Sequence, residues 1–225
     1  MVSLVHAGIL ATLRQLARSY TTSPLPDWDE FAGSTRLETV DAKDRLPAGP
    51  HDIYVVVRGL VKLTQTNDDG TERVEEFFEA IAMVAPGLRP QWASTSAAPL
   101  SITRWRARNW SVPLLGAIAV ERTTVLRLDY RVIQQLAAKH PAWGEGHSAF
   151  LWTYVDGLFS ITTSVRYGSV EDRYRNLLVQ RPSLMRRVSQ REIASYLSIT
   201  ESALSRIAKR VRDTDLEPEP EPEPA

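Results

Sequence analysis

The chain has 225 residues, 27 Lys/Arg against 27 Asp/Glu, 43% hydrophobic residues and no cysteine. That length admits one or two domains with real cores, and the lack of cysteine excludes disulfides, thiolate metal sites and cysteine-held iron–sulfur clusters. The zero net charge hides an asymmetry: residues 166–212 hold eleven Lys/Arg against four Asp/Glu, residues 213–225 hold six acids and no base, and the rest holds 16 against 17.

From the N-terminus, Leu4, Ile9, Leu10, Leu13, Leu16 and Ala17 fall at helical spacing over residues 3–19, with Arg14 and Arg18 outside. This apolar opening lacks a basic start and a cleavage site, so it reads as an amphipathic helix and not as a signal peptide. No run is long enough to span a membrane, and a cytoplasmic protein is expected. Pro24, Pro26 and Gly33 predict a loop. The period then changes. Residues 36–40 alternate, residues 52–57 read as a buried strand, residues 59–64 alternate again, Asn67 to Gly70 predicts a hairpin turn, and residues 72–78 return as a strand. Short strands with turns between them predict a small antiparallel barrel or jelly roll.

From Ala80 to Val120 there is no Asp or Glu, but Arg89, Arg104, Arg106 and Arg108 stand among Trp92, Trp105 and Trp110. One reading makes Arg104, Trp105 and Arg106 an effector pocket that stacks on and pairs with an aromatic anion. The other makes the segment a surface insertion whose tryptophans cover the barrel. Residues 117–121 and 124–128 predict the closing strands. Asp129 caps a helix over 130–139, which His140-Pro141 ends. Over residues 142–167, Phe150, Tyr154, Leu158, Ile161 and Val165 recur at four, four, three and four residues, with Leu151 widening the stripe. A helix this apolar, leaving a complete barrel, predicts a dimer interface, part of which folds back on its own barrel.

Gly168 or Ser169 hinges into a helix over 170–180 that Arg181-Pro182 ends. Residues 188–212 then read as two short helices and a tight turn. Ser189 and Glu192 form a capping box, and Ile193, Ala194 and Leu197 share one face. Thr200 caps the second helix, whose buried stripe is Leu204, Ile207, Ala208 and Val211. Ser202, Ser205, Arg206, Lys209 and Arg212 point outward, and a polar, basic face suits the major groove. From Asp213 the Glu-Pro tail predicts an acidic, extended, disordered segment. Usually such a tail only solubilises, and it could also screen the basic domain. The scattered histidines His6, His51, His140 and His147 give no metal spacing, and neither a nucleophile elbow nor a phosphate-cradling loop is present, so no enzyme, metal or cofactor is expected.

The runs Ser189-Gln190-Arg191-Glu192-Ile193-Ala194, Leu197-Ser198-Ile199-Thr200 and Leu204-Ser205-Arg206-Ile207 resemble the helix-turn-helix of the cyclic-AMP receptor protein/Fnr (Crp/Fnr) family of transcription regulators. Residues 53–63 with Asp69-Gly70, and the strand–Asp129–helix–His140-Pro141 run, resemble that family's sensor domain. The resemblance implies an α+β fold: a cyclic-nucleotide-binding-like β-roll (double-stranded β-helix or jelly roll) over 1–141, a dimerisation helix over 142–168, a helix-turn-helix domain over 169–212 and the tail. It implies a homodimer on double-stranded DNA with an inverted-repeat operator, and it admits a small-molecule effector and RNA polymerase as partners. Arg206 matches the family's base-reading arginine and Ser189 its phosphate-contacting hydroxyl. Gln190, Thr200, Glu201, Ser202, Ser205 and Lys209 complete the expected contact set. Two departures matter here. Ser202 stands where the family often has an acidic base reader, and Glu201 where it has a basic one, so the operator should differ from the family consensus. The sensor also lacks the family's Gly-Glu pair and Arg-Ser/Thr step: Gly87 is followed by Leu88 and Arg104 by Trp105. Cyclic AMP is therefore not expected to bind in the usual way. The rival reading is a ligand-sensing or protein-interaction module whose DNA binding is incidental. Salt dependence of duplex binding separates the two.

Overall fold

The structure, a computed structural model, describes residues 4–67, 69–87, 114–152 and 168–215, and the chain divides into two units, Met1–Val155 and Asp156–Ala225. The first unit opens with helix α1 (Leu4–Arg18), as its periodicity predicts, with Leu10 buried. The expected loop around Pro26 and Gly33 is instead partly helical: α2 spans Trp28–Ser34. Two effects override the loop signal there. Asp29 and Glu30 suit the positive end of the first turn, and Trp28 and Phe31, one turn apart, bury themselves together with ring centroids 4.9 Å apart.

Among the described residues eight strands follow: β1 (Arg36–Val40), β2 (Arg45–Leu46), β3 (Asp52–Arg58), β4 (Val61–Thr66), β5 (Glu72–Phe78), β6 (Met83–Val84), β7 (Leu114–Ala119) and β8 (Thr123–Asp129). They form two four-stranded antiparallel sheets, β1-β8-β3-β6 and β2-β7-β4-β5. This order, with each sheet drawing strands from both halves of the chain, is the jelly roll expected from the strand pattern. Of the closing strands, β7 lies a little earlier than its sequence suggests and β8 extends one residue past its expected range at each end, with Val120 to Arg122 making the turn between them. β2 and β6, two residues each, carry too little alternation to be read beforehand.

Strand alternation sorts the core into two layers. Tyr54, Val56, Val61, Ala117 and Val125 face into the roll and are fully buried. Ile53, Val55, Leu126 and Leu128 face the other way and pack under α1, α2 and the helices after β8. The turn between β3 and β4 needs a glycine: Gly59 has φ 105°, and a Cβ there would lie 2.7 Å from the Thr123 backbone. Thr123, itself buried, uses its hydroxyl to accept from Leu60 N (3.2 Å) and donate to the Glu121 carbonyl (2.7 Å).

At one end of the roll's inner face, Arg127 donates to both Asp52 oxygens at 2.9–3.0 Å and lies 3.7 Å from Glu38. Beside it Tyr54 donates to the Pro47 carbonyl at 2.9 Å, and burial, aided by the Asp52 charge, pushes its phenol up to about 12.

Asp129 caps α3 (Tyr130–Lys139) by accepting from Arg131 N, as expected. His140-Pro141 ends that helix but also starts the next, because proline suits the first helical position; residues 141–152 are helical. Trp143 donates to the Pro26 carbonyl at 2.7 Å and stacks on Trp28, ring centroids 5.9 Å apart. Of the expected dimer stripe, Phe150 turns back onto its own unit, edge-on to Tyr20 at 6.0 Å, and Leu151 is exposed. Tyr154, Leu158, Ile161 and Val165 lie outside the described residues, as do Arg104, Trp105 and Arg106.

Three of the four histidines have polar partners: His6 with Thr35 (2.8 Å), His140 with Asp27 (2.8 Å) and His147 with Tyr130 (2.9 Å). Among the described residues no group of His, Asp or Glu could hold a metal ion, and no helix is long and apolar enough to cross a membrane.

The second unit is helical throughout its described part: α5 (Val170–Gln180), α6 (Pro182–Arg187), α7 (Gln190–Tyr196) and α8 (Glu201–Asp215), counting residues 141–152 as α4. Two of these bounds correct the sequence reading. Arg181-Pro182 ends α5 but Pro182 then opens α6, again at the first helical position. α8 runs on through Asp213 to Asp215, past the expected start of the tail, so the helix is one turn longer.

Candidate nucleic-acid interface

α7 begins where its sequence says it should. Glu192 N donates to Ser189 Oγ (3.3 Å), while Ser189 N and Oγ donate back to Glu192 Oε2 (2.9 and 2.8 Å). This capping box closes otherwise orphan amides at the helix start. The same device starts α5, where Ser169 and Asp172 cap each other; the hydrogen bonds from Ser169 hold the Asp172 carboxyl below the ordinary carboxylate value.

α7 ends in a tight turn. Ser198 has φ 59°, its N–H reaches the Ser195 carbonyl (3.0 Å), and Ile199 N–H reaches the Ala194 carbonyl (2.9 Å). These are the two bonds of a Schellman motif, with a serine in the left-handed position that usually takes glycine. Two residues later Thr200 caps α8, its hydroxyl accepting from Ala203 N at 3.2 Å and its carbonyl from Leu204 N at 3.0 Å.

α8 is fixed from behind. Leu204, Ile207 and Val211 are buried against the rest of the unit, and α7 supplies Ile193, Ala194 and Leu197 to the same core. An ion pair from Arg210 to Glu171 (3.7 Å) links α8 to α5. The opposite face therefore has one orientation: Ser202, Ser205, Arg206, Lys209 and Arg212 are all exposed on it, and Glu201 is exposed at its start. Some hydroxyls are already engaged. Ser205 donates to the Glu201 carbonyl (3.0 Å), and Ser202 lies 3.1 Å from the Thr200 hydroxyl.

The cations are not engaged. Among the described residues, Arg206, Lys209 and Arg212 make no ion pair or side-chain hydrogen bond, and the same holds for exposed Arg186 and Arg191. Unpaired guanidinium and ammonium groups, repeated one turn apart on a buttressed helix, have the chemistry that a polyanion requires. Arginine suits it best, since its fork can donate to two acceptors side by side, as a guanine edge offers them. The structure places Ser189 and Gln190 exposed at the start of α7, and Thr200, Glu201, Ser202, Ser205, Arg206 and Lys209 on the exposed surface of the turn and α8. Arg186 and Arg191 were missing from the expected set. Arg186 sits in the last turn of the unexpected α6, whose N1 proline was the available signal.

No family model matches the sequence, and no curated protein does. The structure, by contrast, resembles many solved ones. FixK2 from Bradyrhizobium japonicum superposes with a TM-score of 0.58 at 16% identity, covering 81% of this chain and 86% of that one. A transcriptional regulator of the Crp/Fnr family from Eubacterium rectale gives 0.62 at 10% identity, covering 87% and 86%. The c-di-GMP-responsive global regulator CLP from Xanthomonas campestris gives 0.55 at 15% identity, covering 84% and 91%. The fold is thus that of the Crp/Fnr regulators across most of the chain, as the sequence resemblance implied.

Proposed function

We propose that this chain, built on the Crp/Fnr fold, is a sequence-specific DNA-binding transcription regulator that works as a homodimer and not as an enzyme. The observation that carries the reading is the exposed face of α8, with Arg206, Lys209 and Arg212 free of acidic partners among the described residues, on a helix that is capped and packed from behind. Arg206 reads a guanine edge in the major groove. Ser189, Gln190, Thr200, Ser205 and Lys209 position the helix on phosphates or base edges. A serine at position 202 and an acid at 201 give the operator a sequence of its own. Two copies of α8, related by the stripe that continues through Tyr154, Leu158, Ile161 and Val165, address an inverted repeat.

Cyclic AMP is not the controlling ligand in this reading, because the sequence from Ala80 to Val120 supplies no carboxylate for a ribose hydroxyl. The name of CLP ties that neighbour to c-di-GMP, which supports variety of effectors on this fold. A small-molecule effector and contact with RNA polymerase remain part of the proposal, and nothing in it needs a metal or cofactor.

The test is a gel shift on an operator selected from random duplexes, repeated over a salt series. Arg206→Ala is expected to cost roughly 1–3 kcal/mol and to relax selection at one base pair, while Lys209→Ala weakens all sequences alike and flattens the salt slope. Unchanged operator choice in Arg206→Ala removes that residue from the reading set.

A further inference from the structure

The first unit holds a cleft of about 200 Å³ on the helix side of the sheet β1-β8-β3-β6. It is separate from the interior of the roll. Ile53 and Leu128 floor it, whereas their neighbours in sequence, including the fully buried Tyr54, point into the roll. Its walls are aromatic: Trp28 and Trp143, stacked on each other, with Phe150 closing one side. Leu16, 41% exposed, stands at the rim. No Asp, Glu, Lys or Arg lines it. Its polar side chains are Tyr20, Tyr130 and His147, the last two paired with the Tyr130 hydroxyl 2.9 Å from His147 Nε2.

Each property narrows the occupant. A dry apolar cavity of ~150 Å³ is large enough for benzene, so about 200 Å³ takes one ring with a small substituent. None of the lining side chains carries a charge to pair with an ionised ligand, and the Arg14 guanidinium beside the wall is already stacked over Trp28, 5.3 Å from its ring centroid, so desolvation disfavours a charged occupant. Burial lowers the His147 pKa, so the imidazole is neutral at pH 7 and offers no cation. A tyrosine hydroxyl is both donor and acceptor, and its bond to His147 leaves it able to meet one further hydroxyl or carbonyl. We propose that this cleft is a binding site for an uncharged, single-ring aromatic molecule bearing one hydroxyl or carbonyl, which stacks among Trp28, Trp143 and Phe150 and hydrogen-bonds to Tyr130. The inference does not rest on the DNA-binding reading.

The experiment is calorimetric titration of the full-length chain at neutral pH with phenol, which has the handle, and toluene, which lacks it. Wild type is expected to bind one phenol saturably, and more tightly than toluene. Tyr130→Phe should weaken phenol roughly tenfold and leave toluene within about twofold, because it removes only the hydrogen-bonding partner. Leu16→Trp, which fills the cleft from an exposed rim position and so leaves the fold standing, should weaken both probes roughly tenfold or more. Absence of saturation for both probes up to about 10 mM overturns the site. So does binding that Leu16→Trp leaves unchanged. Equal affinity for both probes, unaltered in Tyr130→Phe, overturns the assigned role of Tyr130. None of these readouts involves DNA, so failure here and failure of the regulator reading are separate results.

Discussion

Ser198 carries a conformation that its side chain resists. A non-glycine residue at φ 59° is strained, and left-handed geometry costs an L-residue roughly 1–2 kcal/mol, part of which glycine gives back as extra freedom in the unfolded chain. Ser198→Gly should therefore raise the stability of the second unit by about 0.5–1 kcal/mol, measured by urea unfolding; a loss of stability would show that the serine side chain matters to the turn. His147 makes a prediction about pH. Its folded pKa lies below the ordinary 6.5 because burial disfavours the cation. The unfolded chain then takes up a proton near pH 6.5 that the folded chain does not, and by linkage stability falls as pH drops below that value. His147→Phe should flatten this part of the stability–pH curve, and an unchanged slope would place the titration elsewhere. At this scale the sequence was most informative where a residue's role is local. Ser189, Thr200 and Gly70 announce their caps and turn, because their neighbours within four residues decide the geometry. The positive φ of Ser198 was not legible, since its strain is set by the packing of α7 on α8.

Helix and strand boundaries show the same division. The long periodic segments α1, α3, α5 and α8 and the strands β3, β4 and β5 were readable because each buries one face at its own period. What was missed is short or is held by tertiary contacts. β2 and β6 gain their pairing only from β7 and β3, α2 contradicts a proline- and glycine-based loop expectation because Trp28 and Phe31 pack on the distant Trp143, and α6 is a six-residue helix with Leu184 buried. Prolines 141 and 182 each mark the end of one helix, and each also serves as the start of the next. The capping box at Ser189 is the element on which the orientation of α7 depends. Ser189→Ala should cost about 1 kcal/mol, seen as a lowered unfolding midpoint, and Ser189→Asp should restore most of it. Equal stability in all three variants would mean that packing alone sets the start of α7.

The whole molecule joins a jelly-roll unit to a helical unit through a segment whose stripe, in sequence, repeats apolar residues from Phe150 to Val165. Phe150 packs edge-on against Tyr20 of its own unit, while Leu151 is exposed, and the proposed contact between copies runs from Leu151 through Tyr154, Leu158, Ile161 and Val165. Leu158→Arg should thus convert a dimer into a monomer in sedimentation, and should lower affinity for a full operator far more than for a half-site; a dimer that survives the substitution would place the interface elsewhere. The overall architecture was visible in the sequence because strand alternation and the helix-turn-helix are local signals. The exposed face of α8 was legible for the same reason, whereas the aromatic cleft was not: it unites Leu16, Trp28, Tyr130, Trp143 and Phe150, residues brought together only by the fold. The decisive measurement is selection of duplexes from a random pool by the full-length protein. The account predicts enrichment of one inverted repeat with half-sites about 10 bp apart, centre to centre, and loss of selection at one position in Arg206→Ala. A pool that emerges without any enriched sequence would contradict it.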